Sequence, residues 1–189
     1  MSEPLLDIEV LVLGSASDTR ELEPWRKVCA EAARVVWTAQ TELDGELAMA
    51  IVPGPATASG GQHRAVVGAY SPETRTVLVF IEAQAADRRE RSWLRQLLRT
   101  TAHEVTHAVQ HRANPALRPG RRGPVMYDPD DQAGDRLERS AEDEAAALDQ
   151  ALFSAAPPAG FDDRARSYHG GRTARLAELI EAVERRGSV

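Results

Sequence analysis

Cysteine occurs once, at Cys29, and lysine once, at Lys27. A single thiol excludes an internal disulfide and a cysteine-based zinc knuckle, and Cys29 itself reads as a half-buried helix residue. No apolar run approaches the roughly 20 residues needed to cross a bilayer, so a membrane-spanning protein is not expected. The opening residues, Met1-Ser2-Glu3-Pro4, lack the basic segment of a secretory signal, and a cytoplasmic protein is the expectation. The basic residues are nearly all arginine and are dispersed, apart from Arg88 to Arg91 and Arg118 to Arg122. No coherent basic face with neighbouring aromatics emerges, which argues against nucleic-acid binding. Gly14-Ser15-Ala16-Ser17 is followed by neither Gly-Lys-Ser/Thr nor a G-x-G-x-x-G pattern, so it is a helix-capping turn rather than a phosphate loop.

What remains is a chain of 189 residues, 42% hydrophobic and 28% charged, with a net charge of −6. That composition describes a globular protein with enough length for one real core. Residues 1–155 read as a single domain whose core is 63–153, and 156–189 as a loop and helix able to fold over a cleft. A strand is expected over Ile8 to Leu13, a helix from about Arg20 to Val35, and a further strand over Leu47 to Val52. Arg64 to Tyr70 and Thr76 to Ile81 are two β-type runs, and Ser71-Pro72-Glu73-Thr74-Arg75 between them is turn chemistry, so they form a hairpin. The second run is apolar on both faces and suits an inner strand, while the first suits an edge.

The next helix starts with Asp87 as N-cap and Glu90 three residues on, and Asn114-Pro115 ends it. Leu94, Leu97, Leu98, Thr101, Val105 and Val109 make its apolar stripe, and His103, His107 and His111 lie away from the centre of that stripe. Residues 114–133 read as a long loop. A following helix from Asp135 carries Leu137, Ala141, Ala145, Leu148 and Leu152 on its buried face. Glu138, Glu142 and Asp149 lie on one flank of that face and Glu144 on the other. A last amphipathic helix spans Thr173 to Arg186.

The residues that carry chemistry are His103-Glu104-Val105-Thr106-His107, an H-E-x-x-H pattern. Two histidines four apart on a helix lie one above the other and reach one metal ion, while the intervening Glu flanks them where it can hold water. A hydrolytic zinc site takes three protein ligands and leaves one position open. The third cannot be a histidine six residues on, since position 110 is Gln and position 113 is Ala. A Glu of the next helix is the natural source. Glu142 is the expected ligand, because Ala141, Ala145 and Ala146 let that helix approach closely, and Glu138, one turn earlier, is the runner-up.

Thr101-Ala102-His103-Glu104-Val105-Thr106-His107, followed by Arg139-Ser140-Ala141-Glu142-Asp143-Glu144-Ala145, resembles the small gluzincins, the ImmA/IrrE-type and minigluzincin metallopeptidases. Val67-Gly68-Ala69-Tyr70 and the turn after it are similar to the hairpin that precedes the active-site helix in that family. The resemblance covers residues 63–153. It implies a zincin-like α+β fold, with a small, twisted, mostly antiparallel sheet packed on the H-E-x-x-H helix and the Glu-bearing helix. It implies one zinc ion held by His103, His107 and Glu142, with Glu104 as catalytic base. One departure stands out: the Asp often found four residues after the ligand Glu is Ala146 here.

The expected activity is hydrolysis of peptide bonds by water that zinc activates and Glu104 deprotonates. His111, Tyr127, Tyr168 and His169 are candidates for the donor that steadies the oxyanion. A peptide or protein substrate is expected to pair as an extended strand with the hairpin edge. The alternative is a non-catalytic or latent zinc-binding module of the same fold, with 156–189 closing the cleft.

Overall fold

The computed structural model describes residues 5–53, 68–81, 91–116, 132–169 and 171–186. Four strands and five α-helices are built from them: β1 (Leu6–Val12), α1 (Ala16–Gln40), β2 (Gly45–Pro53), β3 (Gly68–Ser71), β4 (Thr76–Ile81), α2 (Arg91–Ala113), α3 (Gln132–Phe153), α4 (Asp163–Tyr168) and α5 (Gly171–Arg186), with a 3-10 turn at Pro158–Gly160. The class is α+β. The strand order is β1-β2-β4-β3, which puts β4 inside and β3 at an edge among the described strands, as the hydrophobic patterns indicate.

The sheet is mixed, not mostly antiparallel. β1 pairs with β2 in parallel, β2 with β4 in parallel, and only β3 with β4 is antiparallel. The cause lies in the connection between β1 and β2. The 25-residue α1 carries the chain back to the end of the sheet where β1 began, and only a parallel partner can then form. α1 starts before its sequence pattern suggests because Ser15 and Asp18 close a capping box there, and it runs on to Gln40. In the β3–β4 turn Arg75 sits at φ 51°, a left-handed conformation.

Alternation sorts the strands into two faces. Leu6 and Val10 of β1, Leu47, Met49 and Ile51 of β2, and Val77 and Val79 of β4 are all buried, and the register aligns them on one side. α1 packs on β1, and α2 on β3 and β4, so this side is the core. α2 presents Leu94, Leu97, Leu98, Thr101, Val105 and Val109 to it, every one buried, which is the stripe read from the sequence. α1 and α2 are joined by the edge-on pair Trp25–Trp93 and by Thr101, whose hydroxyl faces the Cys29 sulfur at 3.8 Å. Cys29 is fully buried rather than half-buried, and burial pushes its thiol up to about 12.

α3 lies against α2 and begins at Gln132, earlier than Asp135. Ala141, Ala145 and Leu148 are buried, and the small volumes of the two alanines let the two helices lie close. α4 and α5 pack on α1 and α3. Asp162 caps α4 by accepting from the Ala165 backbone, and Tyr168 at its end is completely buried. Among the described residues, no helix is long and apolar enough to cross a membrane. The expected N-cap at Asp87, residues 64–67 of the first hairpin run, and Tyr127 lie outside the described residues.

Candidate metal centre

His103 and His107 occupy successive turns of α2 and their rings meet edge to face, with centroids 4.8 Å apart. Both turn Nε2 the same way, so that the two nitrogens lie 3.1 Å from each other. The carboxylate of Glu138, reaching across from α3, straddles them. One of its oxygens is 3.2 Å from Nε2 of His103, and the other is 3.2 Å from Nε2 of His107. One ligand atom from each of the three residues lies within 4.8 Å of the other two.

The third member is therefore Glu138, expected only as the runner-up. Glu142, the first choice, stands one turn further along α3, with its side chain 63% exposed against 31% for Glu138. Its carboxylate approaches the opposite side of the His103 ring, 3.6 Å from Nδ1, and also meets Arg99 at 3.6 Å. The physical reason is axial register. The two acids are about 40° apart on α3, so both face α2, and only the offset between the helices decides which carboxylate arrives level with the gap between the histidines.

The outer nitrogens define what the inner ones can do. Nδ1 of His107 is 2.9 Å from Oε1 of Gln110, and the amide nitrogen of Gln110 donates to the Leu137 carbonyl of α3 at 3.1 Å. That second bond fixes which end of the amide is oxygen, so Nδ1 of His107 carries the proton and donates it. With Nδ1 of His107 so engaged, its Nε2 faces Nε2 of His103 and the Glu138 carboxylate. Two imidazole nitrogens and one carboxylate converging on one point fit zinc by ligand type and number. Hydrogen bonds from His103 and His107 hold the Glu138 carboxyl down at about 2. For His107, burial works downward, but the hydrogen bond and charge of Glu138, with Gln110 and Glu104, outweigh it and leave the ring above its ordinary value.

Glu104 lies next to these residues on the β3 side of α2 and is only 8% exposed. Burial raises its pKa. The charges of His103 and His107 and a backbone hydrogen bond from Tyr70 work against that, and the charge of Glu138 works with it. β3 runs directly over it. A Cβ built on Gly68 would fall 2.5 Å from Thr100 Cγ2 and 2.9 Å from Glu104 Cγ, so only glycine allows the edge strand this close. Two residues along the same strand face, the Tyr70 hydroxyl meets Nδ1 of His111 at 3.0 Å.

The remaining candidates are placed elsewhere. Tyr168 donates to Glu144 at 2.6 Å and lies 3.4 Å from the Gln40 amide, which itself donates to Thr106. Glu144 is on the flank of α3 away from Glu138, so Tyr168 ties the C-terminal segment to the back of the helix pair. His169 stacks edge-on against Phe161, 5.6 Å between centroids. Gln110, Tyr70 and Gly68 were not foreseen as part of the site. The signal for the last two was present, since strand alternation puts them on the same face as Val77 and Val79, toward α2.

No protein-family model matches the chain, and neither any curated protein nor any solved structure does so.

Proposed function

We propose that the chain is a zinc-dependent metallopeptidase of the small-gluzincin kind, with His103, His107 and Glu138 as ligands and Glu104 as general base. The observation that carries this reading is the convergence of two Nε2 atoms and one carboxylate beside a buried acid. A zinc ion held there supplies Lewis acidity, acidifying water and polarising a carbonyl.

The protein's own groups do the rest. Glu104 takes a proton from water on its carboxylate oxygen and returns it to the amine of the departing peptide half. Its raised pKa makes it a better base than an exposed glutamate. Gln110 holds the His107 imidazole in the tautomer and orientation that ligation needs, and the Glu142 carboxylate lies beside the outer nitrogen of His103. β3, at the edge of the sheet and next to Glu104, offers backbone groups to an extended peptide. The Tyr70–His111 pair, one turn beyond His107 on α2, is the candidate donor for a developing oxyanion. Among the described residues no part of 157–186 lines the cavity beside His103, which favours an open hydrolase over a latent one.

Glu104→Gln tests the reading. Cleavage of a mixed peptide library should fall by about a thousandfold or more while zinc content stays at the wild-type level. Unchanged cleavage contradicts the assigned base. Zinc retained in a wild-type protein that cleaves no peptide supports a non-catalytic module instead.

A further inference from the structure

A cavity of about 500 Å³ opens from His103 and Glu104 and runs back along the groove between α2 and α3 toward Arg95. Its floor is small and partly apolar, from Thr100 and Ala145, and two arginines one turn apart stand over it. They are not equivalent. Arg95 is engaged: its Nε donates to Asp149 at 2.7 Å, a second nitrogen bonds the other oxygen, and its guanidinium lies over the Phe153 ring at 5.5 Å. Among the described residues Arg99 has one long contact, 3.6 Å to Glu142, with both side chains substantially exposed. An exposed pair at that distance is worth little and exchanges readily for a better partner.

From this asymmetry, and resting on the metallopeptidase reading, we infer that Arg99 selects substrates bearing a carboxylate beside the scissile bond. Arg99 precedes His103 by one turn of α2, about 6 Å along the axis, a distance that a glutamate stem or a C-terminal residue can cover. A guanidinium has five donors in a planar fork and grips a carboxylate through two parallel bonds. The other charged groups sharpen the choice. Glu104, Glu142 and Asp149 line the same cavity, so a carboxylate entering without Arg99 meets three acids and an arginine that is already committed. A carboxylate is thus accepted through Arg99 or repelled, while an amide in its place loses the fork without meeting repulsion. The carboxylate belongs either to an acidic side chain or to a free peptide C-terminus.

Four peptide hydroxamates separate these sources: Glu or Gln as the residue after the zinc-binding group, each as C-terminal acid and as C-terminal amide. Their binding to the zinc-loaded full chain is measured by calorimetry, for the wild type, Arg99→Gln and Arg99→Lys. The wild type should bind the Glu probes over the Gln probes, or the acids over the amides, by about tenfold or more in Kd. Arg99→Gln should bring that ratio to about one or reverse it, and Arg99→Lys should keep part of it. Equal Kd values for all four probes in the wild type, or a ratio unchanged in Arg99→Gln, overturn the inference and leave the metal site standing. If no hydroxamate binds the zinc-loaded protein, the metallopeptidase reading falls and this inference falls with it.

Discussion

Gln110 Oε1 accepts the Nδ1 proton of His107 across 2.9 Å, while its amide nitrogen is anchored on the Leu137 carbonyl of α3. A residue that in the sequence marks the absence of a third-histidine pattern thereby joins the two helices of the candidate site and fixes the tautomer of His107.

Gln110→Leu should therefore weaken zinc binding by about 10–100-fold, as loss of an outer partner of a ligating histidine does elsewhere. Competition against a chromogenic chelator reads this directly. Zinc affinity within about twofold of wild type would mean that Nδ1 finds water instead, and that the tautomer argument is wrong.

Gly68→Ala probes the approach of β3 to Glu104. The added methyl would fall 2.5 Å from Thr100 Cγ2 and 2.9 Å from Glu104 Oε1, so strand or acid has to shift. Chemical denaturation should show a loss of about 1–3 kcal/mol. Peptide cleavage should fall beyond what any unfolded fraction explains, with zinc content intact. Full activity in a stable Gly68→Ala protein would show that the strand tolerates displacement from the base.

Much of this arrangement is legible from residue types, and the parts that are not share a cause. The buried stripe of α2 follows from periodicity, which is a property of one helix, and all six stripe residues are buried. The inner position of β4 and the edge position of β3 follow from their own apolar patterns. The direction of β2 against β1 is written in neither strand, only in the length of α1 between them. Likewise Glu138 and Glu142 are alike in chemistry and nearly alike in azimuth, and the offset of α3 along α2 chooses between them. α4 has six residues, too few to show a period, and its capping by Asp162 is the one local mark it leaves. With Glu138 as the proposed ligand, the position four residues on is Glu142 rather than Ala146. An acid then stands beside His103 where the resemblance places an Asp.

Acidity and metal should work against each other at this site. In the metal-free chain the Glu138 carboxyl is lowered from its ordinary 4.5 to about 2, so its contribution to stability is present above 4.5 and lost as pH falls through 2. The His107 ring is raised from 6.5, so its contribution is full below 6.5 and lost as pH rises through the higher value. The apo cluster should thus contribute most between these ordinary values. Zinc would compete with protons for these groups, so its stabilising effect should grow with rising pH. Thermal melts with and without zinc at about pH 5.5 and about pH 8 test this, with the larger zinc-induced rise in Tm expected at the higher pH. An equal rise at both would place the zinc elsewhere.

Tyr168→Phe separates the back of the helix pair from its front. The hydroxyl bonds Glu144 inside the protein, so its loss should cost about 1–2 kcal/mol of stability. Zinc content and peptide cleavage should not change. A drop in turnover with zinc retained would return Tyr168 to the catalytic groups.

The most direct measurement is the zinc content of the purified wild type, His107→Ala, Glu138→Ala and Glu142→Ala after dialysis against metal-free buffer. One zinc per chain is expected in the wild type, little or none in His107→Ala and Glu138→Ala, and retained but weaker binding in Glu142→Ala. A wild type that binds no zinc, or a Glu138→Ala protein that keeps a full complement, would contradict the site assigned to His103, His107 and Glu138.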